Sequence, residues 1–449
     1  MSHSTENQLI SKELNMNRPL SLSLAAMLGV SIAGCNEESI VKVRFLHASP
    51  DAPAVDITAR GVKVVKDLNY REGTGYLPAL KGNTAIEVRP AGTETAVISA
   101  NVDLQKGVEY TIVALNNVAS IEPLVIANDA DSPAEGFIQL QVVHGAPSVP
   151  EVDIYITGAD DDLTGATPTL AAVPFKAVSD ELEVAAGNYR VRATLADDSN
   201  VVYDSGPIDI PAGSEIIAVA TEVATGLSPI GLILMQEDKN SPVVALNDAR
   251  ARVRAVHASP DAPEVNVLVN DAVALSDVPF AVGSDYLTIL SGETNLKVNA
   301  AASSATVIDA DLSIDAGTDY TVAAVNFLAS IEPLVLVDDN SQPAAGNIKL
   351  RLVHAAPSAG LVDIYITDGT DDISILDPAI QDFDFKADSG YLEVPAGSYR
   401  VLITVADTKT VAIDSGTVDL TAGQVRTAFA LDPAPGSSDF GALLLADLN

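Results

Sequence analysis

The sequence of 449 residues contains no tryptophan and a single cysteine, and only 4% of its residues are aromatic. One cysteine excludes an internal disulfide and a thiolate metal cluster. The lack of tryptophan argues against a broad stacking platform for sugars or bases. Beyond the N-terminal region, no apolar run is long enough to span a bilayer as a helix.

Basic side chains are also scarce, since 25 lysines and arginines face 61 aspartates and glutamates and give a net charge of −36. A surface of this sign repels phosphate backbones and anionic lipid headgroups, so we expect no nucleic-acid partner. Apolar residues nevertheless make up 47% of the chain. This fraction is enough to form hydrophobic cores and excludes disorder of the whole chain.

Residues 1–34 predict a cleaved signal peptide. Lys12 and Arg18 precede an apolar stretch over 20–33, about the length of a secretory signal, which ends in IAGC at 32–35. This ending resembles the lipobox of bacterial lipoproteins, which implies cleavage before Cys35 and acylation of that cysteine, with palmitate among its lipids. Asn36 follows the cysteine, at the position where an aspartate is the usual signal for retention in the inner membrane. The resemblance therefore points to the outer membrane, on its periplasmic face or at the cell surface. An ordinary signal peptide or an uncleaved anchor is the alternative.

An internal repeat with an offset of 210 residues organises the remaining chain. VRFLHASPDAPAVDI at 43–57 matches VRAVHASPDAPEVNV at 253–267 in 10 of 15 positions, and ASIEPLV occurs at 119–125 and again at 329–335. Each unit divides once more, because His47 and His144 lie 97 residues apart, as do His257 and His354. The order A-B-A′-B′ therefore predicts four related modules. Their expected bounds are 36–135 for A, 136–248 for B, 249–345 for A′ and 346–449 for B′.

Within a module the apolar residues alternate, as in Tyr189, Val191 and Leu195, which is the period of a β-strand. Glycine-containing segments at 184–189 and 394–399 join such runs and predict tight hairpins with a positive φ at the glycine. No long segment after the signal peptide has a clean helical period. The sequence thus predicts an all-β protein of four tandem β-sandwich modules, immunoglobulin-like in architecture. A small β-barrel is the alternative.

The motif HASPDAP followed by Val-Asp, with the later YLEVPAGSYRV at 391–401, resembles the domain-of-unknown-function 4397 family. These are modules of exported prokaryotic proteins, often repeated, and the resemblance covers essentially the whole chain after the signal peptide. It implies no established activity. Modules B and B′ depart from the motif, because Ser148 and Ser358 occupy the positions of Asp51 and Asp261.

The four histidines after the signal peptide are predicted to be structural. Each ends an apolar-alternating strand on its core side, as His354 does after Leu350 and Leu352. We expect the buried imidazoles of His47, His144, His257 and His354 to bridge a loop backbone, with a tie to Asp51 or Asp261 in modules A and A′. One histidine in each module cannot supply the three or four ligands of a zinc site.

Acidic loops offer the one candidate for a metal. Asp160, Asp161 and Asp162 in module B correspond to Asp368, Asp371 and Asp372 in module B′, and further acidic residues fall at the A–B and A′–B′ junctions. Oxygen-rich loops of this kind bind Ca²⁺ when several oxygens converge. No EF-hand spacing is present. Solvated surface loops are therefore the favoured interpretation, calcium binding is the alternative, and no other cofactor is expected.

No catalytic set is evident, so we expect a protein that is not an enzyme. The segment 47–51 contains His, Ser and Asp, but neighbours on one strand end do not point at each other as in a triad. The favoured function is a lipid-anchored, structural, adhesive or scaffolding protein of the cell envelope that binds a protein or glycan. A carbohydrate-binding array using Tyr155, Tyr286, Tyr365 and Tyr391 is the alternative, and an unfamiliar hydrolase is less favoured.

The joint between modules B and A′ is predicted to be the loosest. Seventeen residues separate Met235 from Val253, against ten at the other two junctions. The polar stretch 236–242 ends in proline and suits an extended linker. Limited proteolysis should then cut first within 236–250. An alternative is that 243–246 forms an additional edge strand.

Overall fold

The computed structural model describes residues 39–224, 226–237, 241–368 and 372–448. These residues form eight β-sheets of four or five strands, two for each sandwich, which confirms the all-β sandwich prediction. Two short 3-10 turns, Val118–Ser120 and Leu328–Ser330, lie in the repeated ASIEPLV segments. None of the described helical segments is long and apolar enough to cross a membrane.

The strands of the first half of the chain have the following bounds. Module A contains β1 Ile40–His47, β2 Val55–Ala59, β3 Val62–Leu68, β4 Leu77–Leu80, β5 Gly82–Pro90, β6 Ile98–Leu104, β7 Val108–Leu115 and β8 Glu122–Asp129. Module B contains β9 Phe137–His144, β10 Val152–Gly158, β11 Leu170–Val173, β12 Leu182–Ala185, β13 Gly187–Leu195, β14 Val201–Ile210, β15 Glu215–Glu222, β16 Ile230–Gln236 and β17 Val243–Leu246.

The second half repeats this arrangement. Module A′ contains β18 Arg250–His257, β19 Val265–Val269, β20 Ala272–Val278, β21 Val282–Gly283, β22 Leu287–Leu290, β23 Gly292–Ala300, β24 Thr306–Ile314, β25 Asp319–Val325 and β26 Glu332–Asp338. Module B′ contains β27 Asn347–Ala355, β28 Val362–Thr367, β29 Ile380–Phe383, β30 Asp388–Pro395, β31 Gly397–Val405, β32 Val411–Leu420, β33 Val425–Leu431 and β34 Gly441–Ala446.

Each sandwich consists of an inner sheet, which contains its first strand, and an outer sheet, which contains its second. In module A the inner sheet has the order β4-β1-β7-β8 and the outer sheet the order β3-β2-β5-β6. The first strand of every module pairs in parallel with a strand from the end of the module, as β1 does with β7 and β27 with β33. All other pairings are antiparallel. This strand order differs from the ABED and CFG sheets of an immunoglobulin domain, although the two-sheet architecture is the same.

The predicted hairpins at 184–189 and 394–399 are wrong. β12 pairs with β9 in the inner sheet, whereas β13 pairs with β10 and β14 in the outer sheet. The chain therefore switches sheets at Ala186, and it does so again at Ala396 in module B′. The following glycines, Gly187 and Gly397, do not adopt a positive φ. A chain that crosses a sandwich corner passes from one sheet to the other, so the two strands do not pair as a hairpin.

Alternating side chains of the two sheets fill the space between them. In module A, Val43 and Phe45 of β1 meet Ile57 and Ile86 of the outer sheet in one buried cluster. The other three sandwiches have corresponding clusters. Each such side chain contributes about 1.5–3 kcal/mol when it is removed from water.

The linker between B and A′ contributes an additional strand, which confirms the alternative stated for residues 243–246. β17 pairs antiparallel with β16, from Met235 opposite Val243 to Leu232 opposite Leu246. The chain then continues along module B until Arg250 begins β18. This linker is therefore partly built into module B.

Candidate functional site: the interface between paired modules

Modules A and B pack against each other through their inner sheets. The contact is made by the face of each inner sheet that points away from the core of its own module. Leu46, Val113 and Leu115 of module A form one buried cluster with residues of module B, among them Val219 and Ile233. These side chains alternate along the strands with those that face each module's own core. The two inner sheets are thus buried on both faces, so A and B share a continuous hydrophobic contact.

Modules A′ and B′ are joined in the same way. Val256 and Val325 of A′ contact a buried cluster that includes Val353, Phe429 and Leu431 of B′. Phe429 and Val325 are completely buried. The chain therefore consists of two module pairs, A–B and A′–B′, each held by its own interface.

Two buried ion pairs cross the A′–B′ interface, and each module supplies the arginine of one pair and the aspartate of the other. Arg254 of A′ lies 2.5 Å from Asp447 of B′, and Arg351 of B′ lies 2.5 Å from Asp338 of A′. All four side chains are at most 2% exposed. A buried ion pair is favourable only when its remaining polar atoms are also satisfied. Here both carboxylates have further partners, while Nη2 of Arg254 and Oδ1 of Asp447 have only their ion contact with each other and no hydrogen bond among the described residues.

A tyrosine and a threonine donate to each of these carboxylates. Tyr286 and Thr321 donate to Asp338 at 2.5 and 2.6 Å, and the corresponding tyrosine, Tyr391, donates to Asp447 at 2.8 Å. Burial raises the pKa of both tyrosines, so their hydroxyls stay protonated and available as donors. The guanidinium carbons of the arginines lie 4.8 Å above the ring of Tyr286 and 4.7 Å above that of Tyr391. Each arginine is thus held by a cation–π contact as well as by its ion pair.

The A–B interface carries a neutral counterpart of one of these ion pairs. The offset of 210 residues places Gln141 at the position of Arg351 and Asn128 at that of Asp338. The Asn128 amide donates to the Gln141 carbonyl at 3.1 Å. In the A–B interface, two amides thus replace both members of the ion pair, and they form a hydrogen bond with each other at the equivalent position.

The histidines lie at the strand ends where the sequence places them, and their partners are backbone groups of a loop, as expected. Nε2 of His47 lies 3.0 Å from the carbonyl of Pro53, and Nδ1 accepts from the N–H of Ser49 at 3.3 Å. His144, His257 and His354 make the same two contacts with Pro150 and Ala146, Pro263 and Ser259, and Gly360 and Ala356, respectively. The expected tie to Asp51 or Asp261 is wrong, because each aspartate binds a different loop.

Asp51 and Asp261 connect the two repeated sequence motifs. Asp51 accepts from the N–H of Val118, at the start of the 3-10 turn in ASIEPLV, at 2.6 Å. Asp261 accepts from the N–H of Leu328 at the same distance. In the B-type modules the carboxylate comes from the opposite loop, since Glu222 accepts from the N–H of Ser148. Asp432 likewise accepts from Ser358. We call this bond between the two loops the latch.

The sequence model of a family described as "Domain of unknown function (DUF4397)" matches residues 41–155, 251–365 and 371–449. These segments cover more than half of the chain. The chain belongs to the DUF4397 family. The histidine contacts and the latch explain why its HASPDAP and ASIEPLV motifs occur together, since both hold the same end of a DUF4397 sandwich.

Solved structures resemble this DUF4397 chain only distantly. The Bacillus anthracis TIE protein matches at 11% identity and a TM-score of 0.16, over 88% of this chain and 67% of that one. The fimbrial anchor protein Mfa2 from Porphyromonas gingivalis matches at 15% identity and a TM-score of 0.21, over 45% of this chain and 97% of that one. No curated protein matches. At these TM-scores, the function has to be argued from the chain itself.

The acidic loops of this DUF4397 protein bind their own backbone. Asp161 accepts from the N–H of Gly158 at 2.8 Å, and Asp162 accepts from both the N–H and the hydroxyl of Thr164 at 3.0 Å. Asp372 is bound in the same way by Ser374, and these hydrogen bonds lower the pKa of Asp162 and Asp372. Asp160 and Asp368 are exposed.

No group of three or more potential ligands is close enough to hold a metal ion within the described ranges. Asp371 lies outside the described residues, as does Cys35. Calcium binding and lipidation therefore stay predictions.

The remaining candidates are engaged within the protein. Ser49 Oγ is buried and makes no hydrogen bond with the described residues, while Asp51 belongs to the latch, so the segment 47–51 does not form a triad. Tyr286 and Tyr391 belong to the A′–B′ interface. Tyr365 is 3% exposed and lies under Lys409. Three of the four tyrosines considered for stacking on sugars are therefore occupied by protein contacts.

The sequence analysis missed the interface, although a signal for it exists. Strands buried on both faces are apolar at successive positions and not only at alternate ones. The runs EIIAVAT in β15 and IGLILMQ in β16 have this pattern, and their residues are almost all buried.

Proposed function

We propose that this chain is a non-enzymatic protein of the cell envelope, tethered to the outer membrane by acylated Cys35, that holds four sandwiches as two fixed pairs for binding a partner. The buried interface within each pair carries this proposal. Burying both faces of the inner sheets gives each pair a continuous apolar interface, which fixes the relative position of its two domains. A scaffold or an adhesin can use such a fixed arrangement to present its binding surfaces.

The use of the polar residues supports a structural role. The histidines and the latch carboxylates hold loops and strand ends through hydrogen bonds to backbone groups. Because the net charge is −36, anionic lipid headgroups repel the folded domains of such a protein. A lipid on Cys35 would then be its contact with the membrane.

The Cys35→Ser variant tests the anchor. We expect it to be exported and to appear in the soluble fraction, whereas the unaltered protein should partition with the outer membrane and incorporate labelled palmitate. Protease treatment of intact cells then distinguishes the cell surface from the periplasmic face. Recovery of the variant in the detergent fraction, in the same amount as the unaltered protein, would contradict the proposed anchor.

A further inference from the structure

Module B′ contains a cavity of about 190 Å³ between its two sheets. The corresponding spaces in modules A and A′ measure about 10 and 20 Å³. Residues from the edge strands of both sheets line the cavity in B′, among them Ile413 and Val418 of β32 and Ala442 and Leu444 of β34. The cavity therefore reaches the side of the sandwich where the two edge strands lie.

In module B this same side is closed by residues 242–250, which we call the strap and which end at Arg250, the first residue of β18. The strap begins with β17, and its Val244 and Leu246 pack against the core of module B. The hydroxyl of Tyr203 lies 3.4 Å from the carbonyl of Leu246. Beneath the strap, Leu232 and Leu234 of β16 are only 5% and 8% exposed.

The strap then crosses to the outer sheet of module B. The N–H of Ala249 donates to the carbonyl of Asp204 on β14 at 2.8 Å. Arg250 donates to the carbonyls of Val201 and Val202 at 2.5 and 2.8 Å. One extended segment thus binds the edge strands of both sheets and covers the gap between them.

The described residues of module B′ include no counterpart of the strap, and two of the side chains at the positions beneath it are smaller. The offset of 210 residues replaces Tyr203 by Ile413 and Leu232 by Ala442. The described residues provide no strand at the outer edge of β34. Leu444, the counterpart of Leu234, is 44% exposed. Among the described residues, this side of B′ therefore combines an open apolar cavity with a strand edge that has no neighbouring strand.

We propose that the open side of module B′ binds an extended peptide segment of a partner protein, which adds as a strand to β34 and inserts alternate apolar side chains into the cavity. A peptide satisfies the backbone groups of the edge and the apolar lining together. A small apolar molecule would fill the cavity and leave the edge unpaired. The strap indicates the chemistry of the segment: valine or leucine at alternate positions, followed by an aspartate and an arginine that reach the outer sheet.

This binding site rests on the proposed scaffold function, to which it adds a surface for a partner. Its test uses only the purified chain, so a negative result would leave the lipid anchor on Cys35 untouched. The probe is a fluorescently labelled peptide with the sequence of residues 241–250, SPVVALNDAR, which contains the strap. Its binding to the whole chain is measured by fluorescence anisotropy. We expect saturable binding. A control peptide with aspartates in place of Val244 and Leu246 should bind at least tenfold more weakly.

Three variants of the chain locate the site. Ala442→Leu restores the residue of module B and fills the cavity, and Leu444→Asp places a charge at its opening. We expect each to weaken peptide binding at least tenfold. Val335→Asp is the matched control, because Val335 has the same register on the edge strand of A′ as Leu444 has on β34, and its sandwich has no large cavity. It should leave binding unchanged.

Hydrogen exchange of the unaltered chain gives a second measurement that does not depend on the folding of the variants. The peptide should slow exchange at β34 and β32 and leave the corresponding strands β26 and β24 unchanged. The proposal is overturned if the peptide does not bind up to its solubility limit, or if Ala442→Leu binds it as tightly as the unaltered chain. It is also overturned if an apolar dye occupies the cavity without competing with the peptide.

Discussion

Four imidazole rings close the same loop in the four sandwiches. In each, Nδ1 accepts from a backbone N–H two residues ahead, so Nε2 must carry the proton that it donates to a carbonyl six residues ahead. Only the neutral ring can make both bonds. Burial lowers the pKa of His47, His257 and His354, which favours this neutral form.

Replacing His354 by Ala should lower the stability of module B′ by about 1–3 kcal/mol at pH 7.5, because the buried N–H of Ala356 and the partly buried carbonyl of Gly360 lose their partner. Urea unfolding, followed by hydrogen exchange in β27, measures the loss. Ile375→Ala in the same module is the control, since Ile375 is 85% exposed and should not change the stability. If the stability is unchanged in His354→Ala and a binding activity is lost instead, the ring has a functional role.

The effect of this substitution should depend on pH. The pKa of His354 is lower in the folded protein than its ordinary value of 6.5, so the unfolded chain binds a proton first as the pH falls. The contribution of the ring to stability is thus complete above pH 6.5 and decreases below it. The difference between His354→Ala and the unaltered protein should therefore shrink between pH 7.5 and 5. A difference that grows on acidification would contradict the neutral ring.

The sequence predicts where each histidine lies and that it binds the backbone of a loop, but not which backbone groups it contacts. The alternation of Leu350 and Leu352 is enough to place His354 on the core side of its strand. Its partner, the Gly360 carbonyl, lies in a loop whose path depends on the whole sandwich. The latch was missed for a similar reason. Asp51 and Val118 are 67 residues apart in sequence and become neighbours only through the parallel pairing of β1 with β7.

At the scale of elements, the inner sheet determines how modules associate. Every module places one face of this sheet in its own core and the other in its pair. Arg351 and Asp338 lie in this second contact, where water is excluded. The energetic cost of breaking such a pair comes mainly from the charge that is left behind.

The variant Arg351→Ala should therefore lower the free energy of unfolding of the A′–B′ pair by about 3–5 kcal/mol, because it leaves the carboxylate of Asp338 buried without its cation. The double variant Arg351→Gln, Asp338→Asn copies the amides of the A–B interface. It should recover most of this loss. Urea unfolding with hydrogen exchange in β26 and β27 measures both variants.

Lys297→Ala is the control for this comparison, because it removes an ion pair with the exposed Asp271 and should cause no measurable change. A double variant as unstable as Arg351→Ala would show that the amides of Gln141 and Asn128 are not an equivalent of the ion pair.

At the scale of the whole chain, the repeat predicts the four-sandwich architecture because an offset of 210 residues without net insertion requires equivalent folds. The order of strands does not follow from it. The sequence period identifies a strand and its buried face. It does not identify the strand's partners, so the two runs joined at Ala186 have the sequence pattern of a hairpin although β12 and β13 belong to different sheets. Likewise, the alternation of Val244 and Leu246 allows a strand, and only the neighbouring β16 determines where it lies.

Limited proteolysis should still cut first between modules B and A′, within 236–242 of the predicted range 236–250. Residues 243–250 are held by β16 and β14 and should resist cleavage. Two fragments of similar size are expected by mass spectrometry, each containing one intact pair. Cuts that occur first near 127–136 or 338–347 would show that the pairs are not the stable units.

The difference between the two interfaces has a consequence for folding, since modules A and A′ both encounter B and B′ as the chain collapses. Pairing A with B′ would place Arg351 opposite Asn128, and pairing A′ with B would place Asp338 opposite Gln141. Either exchange buries a charge without its partner, so the correct combination is favoured over the wrong ones.

A chain with Gln141→Arg and Asn128→Asp, in which both pairs carry the same charges, loses this discrimination. Refolded at high concentration, it should form more exchanged dimers by size-exclusion chromatography than the unaltered chain. Equal dimer fractions would mean that selection depends on connectivity alone.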